Sequence, residues 1–314
     1  MAKAGVAILG IYAADLSFAA PRQPHMGETL IGSKFALGPG GKGSNQAVAA
    51  ARAGAKVTFI SRVGKDSFGD NALAMYAKEG IKTHVPQDEN HATGAAYIFL
   101  QEGTGANAII VVPGAAGQVG VADVEAARDA IIASAVFMVQ LETPVASAMA
   151  SLKLAKDNGV TTIFNPAPAT GLDDSIYALC DYCTPNEGEA SLLTGVAVTN
   201  LESARAAADI LLAKGVGTAL ITLGGQGSLL HGQGKSIHIP IFNAGKVVDT
   251  TGAGDAFNGG FAASLARGAT AEEAARFGSA TAGISVTRYG TAPSMPYLHE
   301  VQALLKAQPK LCGG

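Results

Sequence analysis

Apolar residues fall along this chain in two recurring patterns: short continuous runs, and longer stretches in which they return every three or four positions. The short runs predict buried strands at Val6–Gly10, Lys56–Val63, Val136–Leu141, Thr161–Asn165 and Thr218–Leu223. The longer stretches predict helices at Gln46–Ala53, Phe68–Glu79, Val121–Ser134, Val145–Asn158, Leu201–Lys214, Ala256–Arg267, Ala271–Val286 and Leu298–Ala307, with a short one at Ala190–Leu193. Ser44 or Asn45 is a candidate N-cap for the first helix, and Gly54 and Gly80 stand where the first two helices stop. Alternation of strand and helix implies an α/β fold, an open and mainly parallel sheet with helices on both faces. Residues near 228–231 and 236–239 add an antiparallel meander.

Three segments stand outside that alternation. Gly27–Leu37 alternates weakly and predicts a half-exposed strand, while 93–100 and 107–112 are β-branched runs around Gly103-Thr-Gly105, a hairpin by its turn residues. Together they predict a small separate β-sheet. The expected organisation is therefore an α/β domain of residues 1–11, 41–91 and 113–314 carrying a β lid of residues 12–40 and 92–112.

Composition narrows the class. Of 314 residues 48% are apolar and 15% charged, a composition that buries a large core and excludes a disordered chain. The formal net charge of −3 leaves no basic field for nucleic acid or an anionic membrane. No apolar run is long enough to span a bilayer, and no secretory signal is visible, so a cytoplasmic protein is expected. Three cysteines make no disulfide framework, and Cys180-x-x-Cys183, without a second pair or a neighbouring His, reads as buried apolar filling.

The chemistry is concentrated where glycines precede helices. Thr251-Gly-Ala-Gly-Asp255 opens a long apolar helix. Such a turn exposes backbone N–H groups at a helix N-terminus, where they hold an anion, as phosphoryl transfer requires. Asp255, in the first turn, suits a helix cap and a general base equally, and the two roles are compatible. Gly38-Pro-Gly-Gly-Lys-Gly43 matches the dinucleotide-binding spacing G-x-G-x-x-G, but the first strand leads to Ile11-Tyr-Ala-Ala-Asp15 rather than to that turn, which argues against a dehydrogenase. Gly-Lys-Gly also lacks the Ser or Thr that a P-loop places after its Lys.

Asp249-Thr-Thr-Gly-Ala-Gly-Asp-Ala-Phe-Asn-Gly259 and Gly40-Gly-Lys-Gly-Ser-Asn-Gln-Ala47 resemble the C-terminal and N-terminal signatures of the ribokinase-like (PfkB) carbohydrate kinases. Asn165-Pro-Ala-Pro-Ala169, Thr184-Pro-Asn-Glu-Gly-Glu189, Leu220-Ile-Thr-Leu-Gly224, Thr287-Arg-Tyr-Gly290 and Pro293-Ser294 follow in the family's order, so the resemblance covers essentially the whole chain. It implies an ATP-dependent kinase that phosphorylates the primary 5-hydroxyl of a pentose, D-ribose first and 2-deoxyribose or another small furanose or nucleoside as the alternative. A sugar sensor that kept the fold without the chemistry is the reading from another class. Carried over by position, the resemblance makes Asp255 the base and Gly252, Ala253 and Gly254 the anion hole. It gives Asp15, Gly41, Lys42, Asn45 and Glu142, with Asp255, to the sugar. Asn186 and Glu189 would organise Mg²⁺ and phosphate. Thr222, Gly224 and Gly227, with Gly254, match the nucleotide side. Asp249, Thr251, Ser285, Arg288, Gly290 and Ser294 match a K⁺ site built largely of carbonyls. A homodimer paired through the lid is also expected. One departure stands out: Ala13-Ala14-Asp15 replaces the Asn-Ala-Asp usual in the sequences that this one most resembles, which implies looser reading of the sugar hydroxyls.

Overall fold

The computed structural model describes residues 3–103 and 106–309. Fifteen strands fall in chain order among these residues: β1 (Val6–Leu9), β2 (Ala13–Ala20), β3 (Lys34–Gly40), β4 (Val57–Ile60), β5 (Val63–Gly64), β6 (Lys82–His84), β7 (Gln87–Asp88), β8 (Thr93–Gln101), β9 (Asn107–Gly114), β10 (Val136–Val139), β11 (Thr161–Phe164), β12 (Tyr182–Cys183), β13 (Thr218–Thr222), β14 (Ser228–Gly232) and β15 (Lys235–Ile239). The helices are α1 (Lys42–Arg52), α2 (Ser67–Lys78), α3 (Val121–Ala126), α4 (Arg128–Ala133), α5 (Val145–Asp157), α6 (Glu187–Thr194), α7 (Leu201–Ala213), α8 (Ala253–Ala266), α9 (Ala271–Ser285) and α10 (Leu298–Ala307).

Nine strands form the main sheet, in the order β15-β14-β13-β12-β11-β10-β1-β4-β6, parallel except for the meander β13-β14-β15. Both faces of the sheet are covered, as its near-continuous apolar strands require. One core layer packs Val6, Ile8, Phe59 and Met138 against α1, α2, α8 and α9; the other packs Ala7, Leu9, Phe137 and Phe164 against α3 to α7. The α/β architecture expected from the sequence is the one observed. β1 lies inside the sheet, with β4 on one side and β10 on the other, so the connections diverge at its end. Open α/β sheets bind ligands at such a divergence, beyond the carboxyl ends of the strands.

A second, four-stranded sheet has the order β3-β2-β8-β9. It differs from expectation in one strand. The segment 27–33 is not strand; Ala13–Ala20 is, pairing with β3 antiparallel and with β8 in parallel. Small residues hide the alternation in Ala13-Ala-Asp-Leu-Ser-Phe-Ala-Ala20, whereas Thr and Ile between 27 and 37 imitate it. Thr104 and Gly105 of the expected hairpin turn lie outside the described residues.

Helix boundaries shift where glycine-rich motifs run into helices. α1 begins at Lys42, not Gln46, and α8 at Ala253, not Ala256. Ser44 and Asn45 are therefore interior to α1 and do not cap it. Gly41 takes the cap position at φ 87°, a value that favours glycine. The stretch expected as one helix at 121–134 is two, broken at Ala127. Cys180 and Cys183 are both buried and unpaired, as fillers should be.

Candidate active site

The carboxyl ends of β1, β10, β11, β12 and β13 deliver Gly10, Gln140, Asn165, Thr184 and the Thr222 side chain to one edge of the main sheet. The N-termini of α1 and α8 meet there. Their approach is set by missing side chains: a Cβ on Gly259 would lie 2.5 Å from that of Ala49, and one on Gly43 would lie 2.6 Å from Gly10 Cα. Packed this closely, the first turns exchange hydrogen bonds. Asn45 Nδ2 donates to Asp255 Oδ2 at 3.1 Å, and Gln46 Nε2 donates to Asp255 Oδ1 at 3.0 Å.

Gln46 is the centre of an oriented chain. Its amide nitrogen also donates to Asn165 Oδ1 at 3.0 Å, its oxygen accepts from Gln140 Nε2 at 2.5 Å, and Asn165 Nδ2 donates to the Thr184 carbonyl at 2.9 Å. Each amide is fixed in direction by its neighbour, so both Asp255 oxygens receive donors and remain acceptors. The sequence reading gives no role to Gln46 or Gln140. Gln46 lies within the N-terminal signature and was within reach of sequence reasoning; Gln140, 94 residues away, carried no local signal.

A cleft of about 160 Å³ opens beside Asp255, lined by Lys42, Asn165, Thr184, Asn186, Glu189, Thr222 and the α8 turn among others. On that turn, the N–H groups of Gly252, Gly254 and Asp255 have no partner among the described residues, whereas Ala253 donates to the Thr250 carbonyl at 3.2 Å. Two of the three expected anion-hole donors are thus free, and Asp255 supplies another. A Cβ at Gly254 would meet nothing within 4 Å, so the turn faces open space. Buried oxygens also await partners here: Asn45 Oδ1, Thr184 Oγ1 and Asn258 Oδ1. Buried polar atoms left unmatched at a cleft mark where a polar ligand completes the set.

The sugar-side candidates converge electrostatically. Glu142 Oε2 accepts from the Lys42 N–H at 2.7 Å and so caps α1 from another element, a favourable place for an anion. Burial pushes its pKa up to about 7, with Asp255 and Asp15 adding to the rise and Lys42 opposing it. Burial, then Asp255, brings Asp15 up to about 6. Burial likewise raises Asp255, against Lys42, Gln46 and Asn45. Lys42, held charged above all by Asp255, is the cation among these carboxylates. Ala13, by contrast, is buried against Ile11 and Ala116 and does not line the cleft.

Asn186 and Glu189 form a reciprocal capping box at α6: Glu189 N–H donates to Asn186 Oδ1 at 2.8 Å, and Asn186 N–H to Glu189 Oε2 at 2.9 Å. Glu189 Oε1 keeps no protein partner among the described residues, and both side chains line the cleft. Hard oxygen donors of this kind suit Mg²⁺, which retains waters. Gly224 and Gly227 lie outside the cleft lining; a side chain on Gly227 would overlap the Ile239 carbonyl, so backbone packing alone already demands glycine there. Of the cation candidates, Asp249 joins two loops, accepting from Thr251 N–H at 2.9 Å and Gly290 N–H at 3.0 Å. Arg288 turns its guanidinium to Glu300 and donates its N–H to the Ser285 carbonyl at 3.0 Å. Ser294 Oγ donates to the Thr291 carbonyl at 2.7 Å.

The sequence pattern of the pfkB family carbohydrate kinases matches residues 3–298. The chain is 42% identical over 300 residues to a ribokinase of Haemophilus influenzae, covering 95% of this chain and 97% of that one. It is 34% identical over 302 residues to a deoxyribokinase of Salmonella typhi, covering 96% and 98%. The fold is similar to the structure of Arabidopsis thaliana ribokinase complexed with ribose and ATP, with a TM-score of 0.90, 33% identity and coverage of 98% and 99%.

The carboxylate cluster carries a stability signature. A raised folded-state pKa means that Glu142 adds stability below its unfolded value of 4.5, and that this is lost as the pH climbs through about 7. Glu142→Gln escapes that loss and keeps an oxygen for the Lys42 N–H. Without ligand, the variant should exceed the parent by about 1–3 kcal/mol above pH 7, with the gap closing towards pH 4.5. Denaturant unfolding across this range measures it; a gap that does not vary with pH would contradict the assignment.

Proposed function

The chain belongs to the pfkB family of carbohydrate kinases, and we propose that it phosphorylates the 5-hydroxyl of a pentose with ATP, D-ribose being the preferred sugar. The observation that carries this is the meeting of a buried carboxylate, Asp255, with an N–H-lined turn at one helix end. Asp255 accepts the proton as the sugar oxygen bonds to the γ-phosphorus and the bond from that phosphorus to the bridging oxygen of ADP breaks. A carboxylate whose pKa is raised by burial is a better base than a solvated one. The N–H groups of Gly252, Gly254 and Asp255 take the charge that shifts between phosphoryl oxygens. Asn45 and Gln46 hold the carboxylate in line, and Asp15, Lys42 and Glu142 contact the sugar. Mg²⁺, held at Asn186 and Glu189, would neutralise phosphate charge. A second reading, 2-deoxyribose as a good substrate, is favoured by the deoxyribokinase relative.

Coupled ATP-consumption assays over ribose, 2-deoxyribose, other furanoses and nucleosides test both readings. Ribose should give the highest kcat/KM, with 2-deoxyribose close behind. Asp255→Asn should retain sugar binding and lose about 10²–10⁴-fold in kcat. No turnover with any of these sugars would leave a sensor, and near-normal turnover in Asp255→Asn would remove the base.

Mg²⁺ dependence and activation by K⁺ are proposed together. Asp249 ties the loop entering α8 to Gly290, so a cation held by carbonyls between these loops would order the anion-binding turn without touching substrate. Rates should be higher in K⁺ than in Na⁺; equal rates in K⁺, Na⁺ and tetramethylammonium would defeat the proposal.

Residues 12–40 and 92–112 act, in this reading, as a lid that excludes water from the transfer. Its sheet exposes Phe35 at 56%, Ile110 at 64% and Val112 at 61%, an apolar face that fits a second copy of the chain. Small-angle scattering should return a dimer mass at micromolar concentration, and a monomer at every working concentration would exclude the pairing.

A further inference from the structure

Thr291 stands between the two halves of the site. Its hydroxyl donates to the Pro39 carbonyl at 2.7 Å. Pro39 is next to the last residue of β3, opposite Ala14 in β2, and the chain leaves the small sheet there for Gly41 and α1. The same hydroxyl lies beside the Asp15 carboxylate. On its other side, Thr291 backs the anion-binding turn: a Cβ on Gly252 would lie 3.3 Å from Thr291 Cα. The residue is only 9% exposed.

The segment that carries Thr291 is anchored independently of the lid. Gly290 N–H donates to Asp249 Oδ2 at 3.0 Å, and Ser294 closes a turn on the Thr291 carbonyl. Arg52 Nη1 reaches the carbonyls of Ala292, Pro293 and Met295 at 3.2, 3.3 and 2.9 Å, while its remaining donors grip Glu79. A segment fixed at both ends carries displacement through the side chain that leaves it. The hydroxyl has one hydrogen to give, and both acceptors beside it, the Pro39 carbonyl and the Asp15 carboxylate, belong to the small sheet at the root of the lid.

We infer that Thr291 is a positioning residue that couples the lid root at Pro39 to the phosphate-binding turn at Gly252, so that closure over the sugar sets the geometry of the transfer. This rests on the functional reading above, since it takes the small sheet as the lid and the α8 turn as the phosphate cradle. No part of the role requires Thr291 to touch a substrate.

Two variants and two measurements decide it. Thr291→Val keeps the branched shape and deletes the hydroxyl; Thr291→Ser keeps the hydroxyl. Loss of one hydrogen bond should raise KM for the sugar about five- to tenfold in Thr291→Val with a smaller change in kcat, and Thr291→Ser should restore KM to near the parent value. Amide hydrogen exchange of the ligand-free proteins is the second readout. Thr291→Val should speed exchange in Lys34–Gly40 and also in 250–256, leaving β13 as in the parent. Parent-like exchange at both segments, or a fall in kcat and thermal stability in both variants with KM unmoved, would overturn the coupling. A parent chain inactive on every sugar would end the functional reading instead, and the exchange experiment would still decide whether the latch exists.

Discussion

Everything in this site depends on how closely α1 and α8 approach each other. Two helices carrying ordinary side chains pack 8–10 Å apart, and glycine at the contact lets them come closer. Here Gly259 faces Ala49, and a Cβ on Gly259 would also lie 2.7 Å from the Gln46 carbonyl. That closeness lets Asn45 and Gln46 hold Asp255 from α1, in a position 7% exposed. Hydrogen bonds to a charged group contribute about 1.5–3 kcal/mol each, so the pair offsets much of the cost of burying the carboxylate. The small residues of the core are thus a condition of the chemistry.

Burial of the site also sets its carboxylates against one another. Asp15, Glu142 and Asp255 come from β2, the loop after β10 and α8, and among the described residues Lys42 is the cation that answers them. In the free protein this is costly: burial raises all three, Asp255 lifts Asp15 further, and Asp255 and Asp15 lift Glu142. In the proposed function a sugar supplies hydroxyl donors to the same oxygens. A site that is frustrated when empty and satisfied when filled gains selectivity against molecules lacking those hydroxyls, because they leave the buried acceptors unmatched.

What the sequence made legible was local. The glycine turn before α8, the α/β alternation and the order of motifs all depend on residues near one another in the chain, and they led to the right fold and family. Errors fell at the missed strand Ala13–Ala20, at the helix broken at Ala127, and where a glycine run joined a helix. Gly43 lies inside α1 because close packing against Gly10 excludes a side chain there, a tertiary demand that overrides poor helix propensity, whereas Gly254 opens α8 facing open space. Ser44 resembled a cap, yet its hydroxyl accepts from Tyr76 Oη at 2.9 Å while Glu142, 100 residues away, caps the helix. The Gln140–Gln46–Asn165 chain and the Arg52 anchor were hidden for the same reason: each joins residues whose spacing carries no period.

The two sheets share few points of attachment, and these points are where the chemistry sits. The small sheet is joined to the main domain through the ends of β2, β3, β8 and β9, and two of those ends, Ala13 and Gly40, are paired with each other beside Asp15. Gly40 has no room for a side chain because the Asp15 carboxylate fills that space, and Gly41 turns at φ 87° into α1. Any rotation of the small sheet therefore passes through the residues that present Asp15 and Lys42. As the proposed lid, a sheet hinged here cannot move without moving a carboxylate and the N-terminus of α1. Asn45 and Gln46 stand on that helix, so the carboxylate that they hold is coupled to the hinge as well.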